Sequence, residues 1–112
     1  MNYYSEYKQK LRTAEDAVKV VQSGDWVDYS FGLGIPIDLD KALAKRKEEL
    51  SDVKVRGSFS MRPLAIIEVD PSRESFYYSS WHLSSYERHQ ADRGLCSYIP
   101  MVFRKMPLYF QK

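Results

Sequence analysis

The sequence predicts an α/β fold: an open, mostly parallel sheet with flanking helices, present as a partial domain. Three observations predict it. Runs with strand character begin near residues 25, 53, 75 and 95. The connections between them are about a dozen residues or more, long enough for parallel crossovers and too long for hairpins. Helix signals fall inside those connections, so the pattern reads βαβαβαβ.

The elements follow in order. Thr13-Ala14-Glu15-Asp16 opens a helix, with Thr13 as the cap and acids in the first turn. Ala14, Ala17, Val18 and Val21 then recur at helical spacing, and Gly24 is placed to end the helix as its C′ residue. Residues 26–30 alternate, with Val27, Tyr29 and Phe31 on one face, and predict the first strand. Pro36 forces Ile35 into an extended shape, and Asp38 is placed to cap a helix over residues 39–50. That helix carries Leu39, Ala42, Leu43 and Leu50 on one side and charge on the other. Residues 53–60 form the second strand. Pro63, at a first-turn position, opens a short apolar helix over residues 64–69, closed by Asp70-Pro71. Residues 75–81 make a third strand rich in aromatic and hydroxyl side chains. Ser84-Ser85-Tyr86-Glu87 is a capping box for a helix ending near Gly94, and residues 95–99 form the fourth strand, which Pro100 ends.

A chain of 112 residues fits one small domain, burying roughly 65% of the surface its unfolded form exposes. Apolar residues at 44% and charged residues at 29% exclude the disordered, collagen-like and coiled-coil classes. Nine tyrosines, two tryptophans and five phenylalanines are more rings than so small a core hides, so some should face a partner or a missing part of the protein. The net charge of +2 is spread along the chain, and the cations around Lys41, Lys45, Arg46 and Lys47 are followed at once by Glu48 and Glu49. A solvated helix face is therefore read there, and no nucleic-acid partner. A single cysteine, Cys96, excludes an internal disulfide, and no CxxC or HxxxH spacing offers a metal site. No apolar run approaches the ~20 residues that span a bilayer, and the start Met-Asn-Tyr-Tyr-Ser-Glu lacks a signal peptide's pattern. A soluble, cytoplasmic protein is expected, without a membrane partner.

A parallel sheet needs cover on both faces, and an unpaired edge invites another chain. Four strands look incomplete, and self-association to a homo-oligomer is expected. Met106-Pro107-Leu108-Tyr109-Phe110-Gln111-Lys112 is apolar without a polar tail, and Tyr3-Tyr4 is similar at the start. The chain is read as cut inside a larger protein; the alternative is a small domain whose aromatic tail docks on its own core.

In a parallel sheet the C-terminal ends of the strands share one edge, where ligands of open α/β sheets bind. That edge would gather the loop Phe31-Gly32-Leu33-Gly34-Ile35-Pro36, residues 58–63, residues 81–84, and Pro100-Met101. Glycines at positions 32 and 34 let backbone approach a ligand closely, though a strand-to-helix turn needs glycine for geometry alone as often. Ser58, Ser60 and Arg62 offer hydroxyls and a guanidinium beside a helix amino terminus, a setting that suits a carboxylate or phosphate; turn capping and a surface ion pair are the plainer roles. His82 could donate a hydrogen bond to an acyl oxygen, but nothing is spaced to orient it, and a packing histidine is the simpler reading. His89 falls mid-helix and should be exposed, and Cys96 reads as a small buried hydrophobe. A dinucleotide fingerprint would need glycine at Ile37 and an acid where Ser60 stands, and no Gly-Lys-Ser/Thr follows for a P-loop. No strand ends in an acid and no nucleophile is arranged with a base, so no catalytic residue is assigned.

The ordered blocks Tyr7-Lys8-Gln9-Lys10-Leu11, Thr13-Ala14-Glu15-Asp16-Ala17-Val18, Ser23-Gly24-Asp25-Trp26-Val27-Asp28-Tyr29, Leu39-Asp40-Lys41-Ala42-Leu43-Ala44, Val55-Arg56-Gly57, Trp81-His82, Tyr98-Ile99-Pro100 and Pro107-Leu108-Tyr109 run through nearly the whole chain. With them the sequence resembles the amino-terminal portion of the acetyl-CoA hydrolase/transferase family, which includes butyryl-CoA:acetate, succinyl-CoA and 4-hydroxybutyrate CoA-transferases. The resemblance implies a CoA-transferase-like fold of two α/β halves with the active site between them. It implies that a glutamate of the absent carboxyl-terminal domain attacks an acyl-CoA and carries CoA as a glutamyl thioester to a carboxylate acceptor. Coenzyme A thioester would be the substrate, with no bound cofactor. Residues 1–112 would then supply one wall of the pocket: Gly32, Leu33, Gly34, Ile35 and Pro36 as the glycine loop, Ser58, Ser60 and Arg62 near the carboxylate, and His82. Alone they should be inactive. A non-enzymatic anion-binding or assembly domain, and an acyl-CoA hydrolase of the same family, are the competing expectations.

Overall fold

Four strands, β1 (Trp26–Phe31), β2 (Val53–Ser58), β3 (Phe76–Ser80) and β4 (Ser97–Tyr98), lie in the order β1-β2-β3-β4 with every pair parallel. The computed structural model describes residues 2–111; Met1 and Lys112, the outermost residues of the two apolar ends, lie outside it. Val27, Val55 and Tyr78 stand in one row across the sheet, and Val53 pairs with Phe76. Alternation sends these side chains to one face, where they join Tyr29, Leu43, Leu64, Ile66 and Leu95 in the core. Trp26, Lys54 and Tyr77 form a row on the opposite face, and Asp28, Arg56, Ser79 and Ser97 form the next.

Helix α1 (Tyr3–Lys10), which the sequence reading did not anticipate, is capped by Asn2 and buries none of its residues. Helix α2 (Ala14–Ala17) starts at Thr13 as expected, the Asp16 N–H donating to Thr13 Oγ1 at 3.1 Å. It does not continue to Gly24. The backbone tightens into a 3₁₀ turn at Val18–Val20 and is extended by Val21, because branched valines crowd a helix and the Arg46 guanidinium takes the carbonyls of Val18 and Val21. Gly24 instead sits in the turn closed by the Asp25 N–H on the Gln22 carbonyl, at φ +88°.

Helix α3 (Ile37–Ala44) is shorter than the 39–50 expectation, and residues Lys47–Glu49 form a separate 3₁₀ turn. Its N-cap is Pro36, and Asp38 lies in the first turn without capping, where its charge still favours the helix dipole. Helix α4 (Ala65–Val69) has Leu64 as its N-cap, so Pro63 lies just outside it. The amides of Ala65 and Ile66 are instead taken by Asp40 of α3, at 2.6 and 3.4 Å. Helix α5 (Ser85–Asp92) has both halves of the predicted capping box, and Gly94 follows its end at φ +75°.

Helices α2–α5 cover one face of the sheet. Val18, Leu43, Leu64 and Ile67 of the α2–α4 layer pack into the single core, and Glu87 of α5 reaches the same face by accepting the Tyr78 hydroxyl at 2.7 Å. On the other face Trp26 stays 54% exposed and Tyr77 42%. Its only cover among the described residues is the terminal stretch, a 3₁₀ segment at Phe103–Tyr109 and Phe110 beyond it.

Candidate functional site

Parallel pairing brings the C-terminal ends of β1, β2 and β3 together, and a cavity of about 310 Å³ opens there. It is lined by Phe31 and Gly32 from β1, Ser58 and Phe59 from β2, Trp81 and His82 from β3, and Phe103 from the terminal segment. The lining is almost wholly apolar. Phe103 closes one side, its ring 6.2 Å from those of both Phe31 and Trp81.

The turns are held by their own backbone. The His82 carbonyl accepts from the Phe59 N–H at 2.8 Å and from Ser80 Oγ at 2.9 Å, tying the ends of β2 and β3. Phe59 holds this position at φ +53°, which a bulky residue seldom adopts. Its ring is thereby presented at the cavity. Gly32 takes φ +58° and turns β1 into the 3₁₀ segment Gly32–Gly34.

Of the residues singled out from sequence, Gly32, Ser58 and His82 line this cavity. Leu33, 82% exposed, and exposed Gly34 lie outside the lining, Ile35 is buried in the core, and half-buried Pro36 borders the α2–α3 packing. Ser60 is buried, with its hydroxyl donated to the Arg62 carbonyl at 2.6 Å, and the Arg62 side chain is exposed outside the lining. Sequence reasoning placed Phe31, Phe59 and Trp81 in the segments at this edge without giving their rings a role, and did not place Phe103 there. Aromatic residues at consecutive strand ends were the available signal for the first three; Phe103 arrives from a segment without periodicity.

Among the described residues no acid or thiol lines the cavity. Cys96 is buried elsewhere, its thiol pushed up to about 12 by burial and by the nearby Glu87 charge, so it stays protonated at neutral pH. The buried carboxylates serve the fold. Asp40 accepts the Tyr29 hydroxyl at 3.1 Å besides the two α4 amides, and burial raises its pKa above the ordinary 3.8. No group of three or more His, Cys, Asp and Glu side chains among the described residues is placed to hold a metal.

The model of the acetyl-CoA hydrolase/transferase N-terminal domain matches residues 1–112. The chain belongs to the acetyl-CoA hydrolase/transferase family. It is 41% identical over 99% of its length to the butyryl-CoA:acetate CoA-transferase of Anaerostipes caccae, and 46% identical over 96% to the probable butyrate:acetyl-CoA coenzyme A-transferase of Syntrophomonas wolfei. It spans about a quarter of those relatives, 25% and 24%. The 4-hydroxybutyrate coenzyme A transferase of Clostridium kluyveri is 26% identical over 100% of the chain, which covers 26% of that protein. The crystal structure of RipA from Yersinia pestis superposes with a TM-score of 0.73 at 25% identity, over 96% of this chain and 27% of RipA. The α/β fold of this family member is thus shared with a solved structure, as part of a longer chain. No helix among the described residues is long and apolar enough to cross a membrane.

Proposed function

We propose that residues 1–112 form the amino-terminal part of a CoA-transferase that moves coenzyme A between an acyl-CoA and a small carboxylate such as acetate, butyrate, succinate or 4-hydroxybutyrate. The apolar cavity at the carboxyl ends of parallel strands, in a chain of this family, carries the reading. Four rings and little polar surface suit a short alkyl chain, each buried CH₂ contributing about 0.8 kcal/mol. This favours acetyl and butyryl groups over succinyl ones, whose second carboxylate would find no cation in the lining.

The backbone of Gly32, the Ser58 hydroxyl and His82 stand where the polar end of the acyl group would lie. Leu33, Gly34, Ile35 and Pro36 shape the loop, Ser60 fixes the turn after β2, and Arg62 offers an exposed guanidinium to an approaching carboxylate. The step itself falls to a glutamate of the carboxyl-terminal domain, outside this chain. It displaces CoA from the acyl thioester, takes CoA up as a glutamyl thioester and releases the first carboxylate; the acceptor carboxylate then collects the CoA. Coenzyme A enters as substrate, and no cofactor is needed. A homo-oligomer working in the cytoplasm, where a reduced Cys96 is at home, completes the proposal.

The test begins with peptides of the natural protein running past Lys112; a polypeptide that stops there excludes the transferase reading. The full-length protein is then given butyryl-CoA and acetate. Acetyl-CoA appearing as butyryl-CoA disappears supports transfer. Free CoA alone assigns hydrolysis, and no reaction leaves a binding domain. Borohydride reduction of the enzyme after acyl-CoA loading should mark one glutamate by mass, and none within residues 1–112.

A further inference from the structure

Arg56 does more than neutralise Asp28. The two residues stand opposite each other on β2 and β1, in a row on the sheet face away from the helices. On that face Trp26 is 54% exposed and Tyr77 42%, yet Arg56 is 9% exposed. A cation so buried needs partners for its donors. Asp28 takes Nε and Nη2 at 2.8 and 2.7 Å, a two-pronged bond that fixes the plane of the guanidinium. Nη1 is left over, and it donates to the Tyr109 carbonyl at 3.0 Å. The same guanidinium lies 5.1 Å from the Phe110 ring and 4.8 Å from the Trp26 ring, within the range of cation–π attraction.

Tyr109 closes the 3₁₀ segment that Phe103 opens. Such helices seldom run beyond three or four residues, because their hydrogen bonds are poorly aligned. This one has seven, buries none of them and carries Pro107 inside. Its position must therefore come from its ends. At one end Phe103 meets Phe31 and Trp81, both rings 6.2 Å away. At the other, Arg56 holds Tyr109 and Phe110. A rise of about 2 Å per residue sets these two anchors roughly 12 Å apart along one short rod. A shift at Tyr109 is thus passed to Phe103, the wall of the cavity that comes from outside the sheet.

We propose that Arg56 is a positioning residue: by gripping Tyr109 and Phe110 it sets where the Phe103 ring stands, and so how long an acyl chain the cavity accepts. This rests on the reading that the cavity holds the acyl group of a CoA thioester. Arg56 itself is not in the lining. Lysine in its place keeps a charge beside Asp28 but has no planar fork with which to bond Asp28 and Tyr109 together.

The full-length protein carries the test. The kcat/KM for butyryl-CoA over that for hexanoyl-CoA, with acetate as acceptor, reads the length of the cavity. Phe103→Ala should lower that ratio about tenfold, and Arg56→Lys should lower it in the same direction by less. Combined in one chain, Arg56→Lys should add nothing to Phe103→Ala, because the ring through which it acts is gone. Phe110→Ala, at an exposed position, repeats the test with the Asp28 pair intact. An Arg56→Lys effect that multiplies with that of Phe103→Ala overturns the proposal. So does an equal fall in kcat/KM for both thioesters, which a merely structural arginine would give. A readout without turnover separates the proposal from the functional reading: 4-fluorophenylalanine at position 103 should show a ¹⁹F resonance displaced by Arg56→Lys. Displacement in a protein that transfers no CoA supports the anchoring and removes the functional reading. An unmoved resonance overturns the proposal whether or not CoA is transferred.

Discussion

Gly32 and Gly34 are alike in sequence and differ in what the backbone asks of them. Gly32 sits at φ +58° with open space around it, so alanine there is strained by conformation. Gly34 has no such φ, and a Cβ would meet the Ser30 hydroxyl at 2.8 Å, on an exposed side chain free to turn away, and the Ser30 Cβ at 3.4 Å, an ordinary contact. Urea denaturation should show Gly32→Ala losing about 1–2 kcal/mol and Gly34→Ala within about 0.5 kcal/mol of the parent. A third glycine, Gly57, is held by contact: a Cβ would fall 2.5 Å from the Tyr78 hydroxyl, which Glu87 fixes from the other side. Gly57→Ala should cost about 1–3 kcal/mol. The pair at the loop was visible in the sequence because glycine is a local signal. The need at Gly57 was not, because it depends on a tyrosine in the neighbouring strand. Asp70 gives a pH test at the same scale. Burial alone would raise its pKa, but the amides of Phe76, Ser75 and Glu74 and the Ser72 hydroxyl hold it below the ordinary 3.8. The folded state thus prefers the charged form, so this stability is present above 3.8 and is lost as pH falls through the lower folded value. Asp70→Asn should cost about 1–3 kcal/mol at neutral pH. Its stability should converge toward that of the parent chain as acid is added, as read by denaturation across the acid range.

Elements that announce themselves locally were legible in the sequence. The capping box at Ser84 and Glu87, Thr13 at the start of α2 and the alternation of Val27 and Tyr29 in β1 each rest on residues a few positions apart; the alternation does not reach Phe31, because the register with β2 shifts after Asp28. The ends of α2 and α3 were not, because Arg46 and the carbonyls it binds are separated by more than twenty residues. The start of α4 shows the same effect: its amides are satisfied by Asp40, 25 and 26 positions earlier, and no nearby residue caps it. Asp40 therefore joins α3, α4 and, through the Tyr29 hydroxyl, β1. Removing its side chain leaves buried donors without acceptors. Asp40→Ala should destabilise the chain by about 1–3 kcal/mol, with hydrogen exchange at Ala65 and Ile66 rising before that of β2. Unchanged protection at those amides would show that α4 needs no help from α3. The sign of the pH effect is opposite to that at Asp70, since a raised folded pKa makes the Asp40 charge cost stability as pH rises above 3.8.

At the scale of the whole molecule, a parallel α/β sheet with uncovered rings was legible, whereas its one-sidedness was not. The order β1-β2-β3-β4 depends on which strands pair, and helix α1 carries no apolar stripe to betray it. One-sidedness has a direct consequence for residues 1–112 in isolation. Trp26 and Tyr77 stand on the open face, and the β1 edge beside them is unpaired among the described residues. Apolar surface and free strand edges both favour association, so sedimentation should show mass rising with concentration. Trp26→Lys with Tyr77→Lys should weaken it, since like charges would then meet across the contact, while neither side chain belongs to the core. A strict monomer at high concentration would mean that residues 103–110 cover the face well enough alone. The same isolated chain, given acetyl-CoA and butyrate, should exchange no CoA, because its cavity holds rings, a serine and a histidine but no carboxylate to carry the thioester. Turnover by this chain alone would place the nucleophile within these residues and overturn the division of labour between the two parts of the protein.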